Sequence, residues 1–489
     1  MEERARQLLT ALEDAGFEAY VVGGAVRDLL MGKEPHDYDI ATSARPDDIR
    51  AVAAKEDWHT VEIHGEAFGI VVVVIAGQTF EVATFRGEAY GEDSHRPDTV
   101  WYADTLREDV LRRDFTVNAM AMDCRGDIYD YVGGQKDLRK KRLVTVGNPV
   151  RRFQEDALRL FRACRFAGQL DFMASKDLVK AMPQAFGRVP GLSLERVVNE
   201  MDRLMVTPAA YRGLDILVRT GLGACSCRQK VNGCYEAVPI LPELSHLPDT
   251  PQSKPFHLFD AWVHTLATVA NTPPDLTIRY AALFHDVAKG LPGIRGVHKG
   301  RYTDYGHDAK GAELAEAILL RWHKKPAFAQ RVAWLVKTHM KFHFFANTAE
   351  GDVEKWLRHE ALDGPFHRTE ELVEAVGQAT AVACGDILGC GHADASTEGS
   401  ESFGAYMAML AEAMPVSTKD LHYDRRIPDT CGRRTGDCLR ILLKRVQNQD
   451  LENEADVLAD AARRWMKRHE GEGHHEPPPQ QAAFGNAQR

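Results

Sequence analysis

Leu8, Leu9 and Leu12 recur at helical spacing within residues 2–15, which predicts an amphipathic helix. The apolar run Ala-Tyr-Val-Val at 19–22 reads as a strand, turns on Gly23-Gly24, and leads into a helix that ends near Leu30. A second strand, Asp37-Tyr38-Asp39-Ile40, closes this unit, and Arg45-Pro-Asp-Asp starts another helix. Residues 69–75 are β-branched almost throughout, a buried strand, and residues 80–85 alternate as the next one. The polar stretch 86–97 has no clear period and reads as a loop.

Residues 151–166, RRFQEDALRLFRACRF, show Arg159, Arg162 and Arg165 every third position beside Leu158 and Phe161, a helical pattern. A capped helix follows from Ser193 to Leu204. Residues 211–244 read as a helix and then a Cys-rich loop, and the Pro-rich stretch 239–255 marks a boundary. Beyond it His264 falls on a helix, His285-Asp286 in the apolar run ALFHDVAKG, and Asp386 on a later helical stretch. Residues 417–466 are again helical. Residues 469–489 are rich in Gly, Pro, His and Gln, which predicts disorder; their HEGEGHH is at most an adventitious metal binder.

At 489 residues the chain is too long for one ordinary domain. A hydrophobic content of 44% supports proper cores. The net charge of −10 does not advertise nucleic-acid binding, although a local basic groove can sit on an acidic protein. No apolar leader follows Met1 and no apolar run is read as long enough to span a bilayer, so a cytoplasmic protein without a membrane partner is expected. The cysteines number nine; Cys225, Cys227 and Cys234 cluster without a CxxC pair, so reduced thiols are expected.

The chemistry is concentrated at Val21–Ile40. On a strand Asp37 and Asp39 point the same way, and two adjacent carboxylates repel unless a cation sits between them. Hard oxygen ligands with open positions suit Mg²⁺ held jointly with substrate phosphates. Gly23 and Gly24 let backbone N–H groups approach a triphosphate, and Arg27 adds a charged fork. A GG turn, an arginine and a DxD in this order is a phosphoryl-transfer pattern. The alternative for the DxD alone is an exposed turn.

The run GGAVRD followed by DYD resembles the first motif of the class II tRNA nucleotidyltransferases, the CCA-adding enzymes, and of the related bacterial poly(A) polymerases. Further matches follow in that family's order. Glu81, in an EVTTFR-like strand, corresponds to a third acidic residue of the site. The 86–97 stretch resembles the loop between the first and second motifs and looks full length, which favours terminal A addition. RRDFTVN, from Arg112 to Asn118, matches the second motif: Arg112 and Arg113 for phosphates, Asp114 and Asn118 to orient sugar hydroxyls or the arginines. Residues 130–138, DYVGGQKDL, resemble a hinge motif, and Gly133-Gly134 give it permissive backbone. Arg139-Lys-Lys-Arg142 is a basic patch, either solvated or on tRNA phosphate. Asp156 and Arg159 resemble the EDxxR motif, with Arg162 and Arg165 beside them on the same helix.

The Asp156–Arg159 pair has derivable chemistry. Cytosine and adenine both offer an exocyclic amino donor beside a ring-nitrogen acceptor, matching a carboxylate and a guanidinium. Uracil and guanine reverse both polarities and would leave buried groups unpaired. One template can thus take CTP and ATP and refuse UTP and GTP. An intrahelical ion pair is the plain alternative.

His264, His285-Asp286 and Asp386 in this order resemble an HD phosphohydrolase domain, with His307 and His339 as secondary histidines. Such a set can hold a divalent metal, and two histidines with two carboxylates do not choose among Mn²⁺, Ni²⁺ and Mg²⁺. Asn453 and its surrounding helices resemble a tRNA-holding tail, from which DRRIPDTCGRRTGD departs.

The resemblance implies an α+β fold: a small mixed-sheet nucleotidyltransferase head, then an all-helical neck, HD body and tail. The expected ranges are 1–138 for the head, 139–210 for the neck, 211–255 for a linker, 256–400 for the HD domain, 401–470 for the tail and 471–489 for a disordered terminus. The implied activity is completion of the 3′ CCA end of tRNA from CTP and ATP with Mg²⁺. Poly(A) synthesis, or specialised CC or A addition, is the near alternative. A metal phosphohydrolase with a head that only binds RNA, or a non-catalytic RNA-binding module, is the distant one; three intact carboxylates argue against both.

Overall fold

The computed structural model describes residues 1–61, 69–89, 99–348 and 351–469. The expected disorder of 471–489 and the HEGEGHH reading therefore lie outside the described residues. The chain forms two compact units, Met1–Phe342 with Ala381–Thr397, and His343–Thr380 with Glu398–Arg489. The first unit runs through 239–255 without division.

The head is α+β. Its sheet contains β1 (Ala19–Val22), β2 (Asp39–Thr42), β3 (His59–Val61), β4 (Ile70–Ile75), β5 (Gln78–Thr84), β8 (Ala121–Met122) and β9 (Ile128–Tyr129), in the order β3-β4-β5-β2-β1-β8-β9. Only β2 and β5 run parallel; the other pairs are antiparallel. The helix α1 (Glu3–Asp14) buries Leu8, Leu9 and Leu12. In β5 the period of two buries Phe80, Val82 and Thr84 and leaves Glu81 on the open face. The register sets Glu81 directly beside Asp39.

Two local expectations fail here. The second strand begins at Asp39, not Asp37, because its partner β1 pairs Val22 with Asp39 and then turns at Gly23. Asp37 is left outside the ladder, 83% exposed, with its carboxylate 3.1 Å from His36 Nδ1. The stretch after Phe85 is not all loop: β6 (Arg86–Ala89) pairs with β7 (Thr99–Tyr102) as an antiparallel hairpin. A side chain at Gly87 would lie 2.4 Å from Trp101, so the ring takes the space that a bare glycine leaves. The first strand, Arg86-Gly-Glu-Ala89, carries no apolar alternation for a sequence reading to find.

Helices then dominate: α2 (Gly24–Leu30) and α3 (Pro46–Lys55) in the head, α4 (Leu106–Leu111), α5 (Gly134–Arg139), α6 (Pro149–Glu155), α7 (Leu158–Leu170), α8 (Lys176–Ala181), α9 (Leu194–Met205) and α10 (Ala210–Arg219). The hinge motif is closely tied. Asp130 Oδ1 accepts from the N–H groups of Val132, Gly133 and Gly134, and Oδ2 from Gln135. Short β10 (Arg142–Leu143) and β11 (Met173–Ala174) pair in parallel. Ser193 precedes α9 without a side-chain cap bond. The expected Cys-rich loop is a hairpin, β12 (Ser226–Val231) with β13 (Cys234–Pro239). Asn232 and Gly233 both take positive φ, 50° and 89°, as a tight hairpin turn requires. All nine cysteines are free thiols.

The remainder of the first unit packs α11 (Ala261–Ala270), α12 (Leu276–Phe284) and α13 (His307–Arg321), with the hairpin β14 (Arg295–His298) and β15 (Arg301–Asp304), and receives parts of α14 (Pro326–Asn347) and α16 (Thr369–Gly389). A Cβ on Gly389 would sit 2.5 Å from Thr268 Oγ1, so the bare glycine lets α16 close onto α11. That approach brings Asp386 to His264.

Contrary to the sequence reading, α16 is long and apolar enough to cross a membrane by length and composition; among the described residues it alone passes that test. Of its apolar window 56% is buried in protein, and it carries Asp386 into a histidine cluster, so it serves as a core helix here. The second unit adds α15 (Val353–Asp363), α17 (Glu398–Glu412), α18 (Arg426–Cys431), α19 (Thr435–Gln447) and α20 (Ala455–His469). The arginine-bearing departure supplies α18 and the start of α19, and buries Ile427 and Cys431 with Cys438, Leu442 and Leu458. Asn453 closes the preceding segment, accepting from His422 N–H and donating to the Asp420 carbonyl.

Candidate functional site

A cleft of about 590 Å³ opens over the head sheet. Its floor is Asp39 and Glu81, its rim Gly23 and Gly24, and its walls Arg27, Arg112, Arg113, Asp114, Asn118, Asp156, Arg159 and Arg162. Asp37 and Arg165 do not line it.

Gly23 has φ 75° and ψ −131°, a conformation open essentially to glycine. A Cβ there would meet Arg113 at 3.2 Å and Asp39 at 3.8 Å, so the turn, the arginine and the carboxylate crowd one point. Burial, then the Glu81 charge and to a lesser degree Asp37, push the Asp39 carboxyl up, against the pull of Arg113. A buried carboxylate whose proton affinity is raised by a register-paired neighbour fits a site for a divalent cation that takes oxygen ligands.

The arginines are held by acids, and several of these acids are not obvious in the sequence. Asp109, 1% exposed, accepts from Arg112 (2.6 Å) and from Arg113 (3.0 Å). Burial would raise its carboxyl, but Arg113 and Arg112 outweigh that and hold it low. Arg27 donates from Nε and one terminal nitrogen to both oxygens of Asp28, and from the other to Asn118 Oδ1 at 2.7 Å. Asp114 Oδ2 accepts from Arg162 Nε at 2.8 Å. Asp114 and Asn118 thus orient arginines, one of the two roles open from sequence. Arg86 and Phe166 also line the cleft, and neither was singled out from sequence.

Asp156 is not on the helix that carries Arg159. It breaks the run between α6 and α7 with extended backbone, φ −139° and ψ 107°, and its Oδ1 accepts from Leu158 N–H at 2.9 Å. The competing local bond from side chain to backbone is what an aspartate favours at a helix start. Burial raises its carboxyl and Arg159 pulls it down, with burial the larger. Arg159 is gripped by Glu155 Oε2 at 2.9 Å and by the carbonyls of Arg152 and Arg112. The two side chains still face one cleft, which a kink permits as well as a shared helix face would.

Arg165 points elsewhere. It is buried against Glu200 on α9 at 2.6 Å, bonds Gln169, and stacks over Phe166 at 4.1 Å. Its threefold spacing from Arg159 and Arg162 turns it away from the cleft, toward α9. The pair is a neck brace. Glu200→Ala is expected to cost about 3–5 kcal/mol by leaving Arg165 charged and unpaired in the interior. Denaturant unfolding of the purified variant checks this; a midpoint equal to the parent's would refute it.

A second cluster lies where α11, α12, α13, α14 and α16 converge. His264 Nε2 is 3.0 Å from His285 Nε2 and 3.0 Å from Asp386 Oδ1. Asp286 Oδ2 lies 3.3 Å from Nε2 of both His264 and His285, and Oδ1 lies 3.3 Å from His307 Nε2. His307 and His339 bring their Nε2 atoms within 3.3 Å. His285, His307 and His339 each place Nδ1 within 2.6–2.7 Å of a backbone carbonyl. An Nδ1–H that donates there leaves Nε2 as the lone pair, so these lone pairs converge on carboxylate oxygens. Lys289 Nζ lies 2.7 Å from Asp286 Oδ2 and supplies one positive charge, while Oδ1 is turned to His307 without a hydrogen-bond partner. Facing lone pairs and carboxylates need a cation between them, and the donor set fits one or two divalent metals.

A mixed sheet that sets paired carboxylates beneath an arginine-walled cleft is the architecture of a nucleotidyltransferase head. Residues 19–144 match the poly(A) polymerase head domain, 171–224 the probable RNA- and SrmB-binding site of polymerase A, and 263–364 the HD domain. The chain is 42% identical over 253 residues to the CCA-adding enzyme of Bacillus pumilus (strain SAFR-032), covering 52% of this chain and 59% of that one. It is 44% identical over 220 residues to the CCA-adding enzyme of Geobacillus sp. (strain WCH70), covering 45% and 53%. The matched part thus spans little more than half the length of these relatives. The fold resembles the crystal structure of the Bacillus stearothermophilus CCA-adding enzyme in complex with CTP, with a TM-score of 0.64 at 25% identity over 97% of this chain and all of that one. The family resemblance read from the sequence is borne out: a poly(A) polymerase head domain, a polymerase RNA-binding segment and an HD domain match in order along the chain.

Proposed function

We propose that the head adds nucleotides to the 3′ end of tRNA without a template, completing or repairing CCA from CTP and ATP with release of pyrophosphate. The observation that carries this is one cleft in which Asp39 and Glu81 form the floor and Asp156 and Arg159 a wall. The relatives it resembles are CCA-adding enzymes. Asp37, Asp39 and Glu81 would hold Mg²⁺, which when bound lowers the pKa of the primer hydroxyl and neutralises the leaving oxygens. Gly23 and Gly24 offer backbone N–H groups to the triphosphate. Arg27, Arg112 and Arg113, fixed by Asn118, Asp28 and Asp109, neutralise its charge. The primer oxygen attacks the α-phosphorus in line, its bond to the pyrophosphate oxygen breaks, and the hydroxyl proton leaves to solvent. Asp156 accepts from the base amino group while Arg159 donates to the ring nitrogen.

The test is incubation with tRNA lacking CCA, tRNA ending in C and tRNA ending in CC, each with one nucleotide at a time. CTP should extend the first two and ATP only the third. Long A tails on any RNA would favour the poly(A) alternative. For the base pair itself, Asp156→Ala is expected to lose about 1–3 kcal/mol per lost contact. The rate with CTP and ATP falls, and discrimination against UTP and GTP falls with it. An unchanged CTP-to-UTP ratio would sink the template reading.

A second activity is favoured by the buried histidine–aspartate cluster: metal-dependent hydrolysis of phosphate esters at the HD domain. His264, His285, Asp286 and Asp386 would hold Mn²⁺, Ni²⁺ or Mg²⁺, with His307 and His339 beside a second position. 2′,3′-Cyclic or 2′-phosphorylated nucleotides and RNA ends suit it, since a terminus must be clean before it is extended. A cytoplasmic setting fits both activities.

A further inference from the structure

His264 belongs to two donor groups. Nε2 faces His285 and Asp386, whereas its Nδ1 is fully buried and has no hydrogen-bond partner. The His257 ring stands edge-on to the His264 ring with centroids 4.5 Å apart. His257 Nδ1 is 3.4 Å from Cys390 Sγ. One ligand atom from each of His257, His264 and Cys390 lies within 4.8 Å of the others. Neither His257 nor Cys390 falls in the segment that matches the HD domain, 263–364. Neither has a part in the hydrolysis proposed above.

The geometry is built rather than incidental. The backbone N–H of Leu258 donates to the Cys390 carbonyl at 3.0 Å, which pins the turn that carries His257 to the end of α16. Gly389 lets that helix end close onto α11, and Gly391 packs beneath the Phe259 ring. Two imidazoles and a thiol are held together from three separate stretches of chain.

We infer that His257, His264 and Cys390 form a binding site for a soft divalent cation, of the zinc class, adjoining the HD cluster and sharing His264 with it. Two imidazole nitrogens and a thiolate suit such an ion with one coordination position left open. Binding of M²⁺ forms a metal–thiolate bond and releases the Cys390 thiol proton to solvent; the neutral His264 ring has one lone pair to give, so holding this ion and the HD metal together would release its N–H proton as well. In a buried setting a thiolate needs that cation as its counter-charge. A ring nitrogen with no other partner is a natural third donor. The consequence is metal selectivity: this side of the cluster favours thiolate-loving ions that the oxygen-rich head site does not.

The test uses Co²⁺ as the probe, added to the full chain after metal removal. A sulfur-to-cobalt charge-transfer band in the near ultraviolet is expected, with one thiolate per chain. Cys390→Ser should abolish the band, and His257→Ala should weaken the Co²⁺ affinity that it reports at least tenfold, with helical circular dichroism unchanged in both. Cys234→Ser, an exposed thiol elsewhere, should leave it intact. Absence of the band in the parent, or its survival in Cys390→Ser, overturns the site. Should Cys390→Ser lose its fold, an undiminished band in His257→Ala does so equally. The readout is spectroscopic, so failure of HD hydrolysis would not imitate failure here.

Discussion

Asp39→Ala is expected to abolish addition of both C and A while tRNA binding stays close to the parent's. The carboxylate stands in register with Glu81 on the cleft floor, and its proton affinity is raised by burial and by that neighbour. Losing a metal-holding carboxylate removes several kcal/mol of transition-state stabilisation. At about 1.4 kcal/mol per tenfold, the rate should fall by roughly a thousandfold or more. Single-turnover extension of tRNA ending in CC measures this, with a filter-binding assay alongside. Extension above about one per cent of the parental rate would remove Asp39 from the metal site. Asp37→Ala separates two arrangements. If the exposed Asp37 swings to the cation, the loss is comparable; if Asp39 and Glu81 suffice, it is much smaller.

The comparison of Asp37 with Asp39 shows what a strand pattern contains. The alternation rule applied only as far as the ladder reached, and β1 runs out at Val22. Chemistry-bearing residues were legible where spacing and residue type together restrict the options. The GG turn and RRDFTVN come together at the head cleft, and the histidine–aspartate set comes together in its own cluster. Asp156 was legible as a site residue but not as a helix breaker. Its short side chain bonds to the Leu158 N–H, and that local competition overrode the helical period of its neighbours.

What stayed hidden were the residues that act through others. Asp109, Glu155 and Glu200 look in sequence like ordinary helix charges. Only tertiary approach shows that Asp109 fixes two arginines, Glu155 grips Arg152 and Arg159, and Glu200 draws Arg165 out of the cleft. The hairpin of residues 226–239 had a readable signal, the Asn232-Gly233 pair, which the cysteines around it obscured.

The HD cluster yields the second large effect. Asp286 is 1% exposed and reaches toward His264, His285, His307 and Lys289 at once. Burial would raise its carboxyl, but His285 and Lys289 outweigh that and hold it ionised. An anion so placed would be the central ligand of a cation bound there under the proposed hydrolysis. His285→Ala and Asp286→Ala should therefore reduce hydrolysis of 2′,3′-cyclic AMP to background, a loss of about a thousandfold by the same arithmetic. CCA addition should be spared, because the head cleft shares no residue with the cluster. Asp39→Ala should do the reverse. The assay runs across Mn²⁺, Ni²⁺ and Mg²⁺, since two histidines and two carboxylates do not select one of them. Asp286→Asn keeps the volume and removes the charge, which separates lost chemistry from lost packing. If the parent shows no turnover above the His285→Ala background with any metal, the histidines serve packing and RNA contact, and the head site carries all the chemistry of the chain.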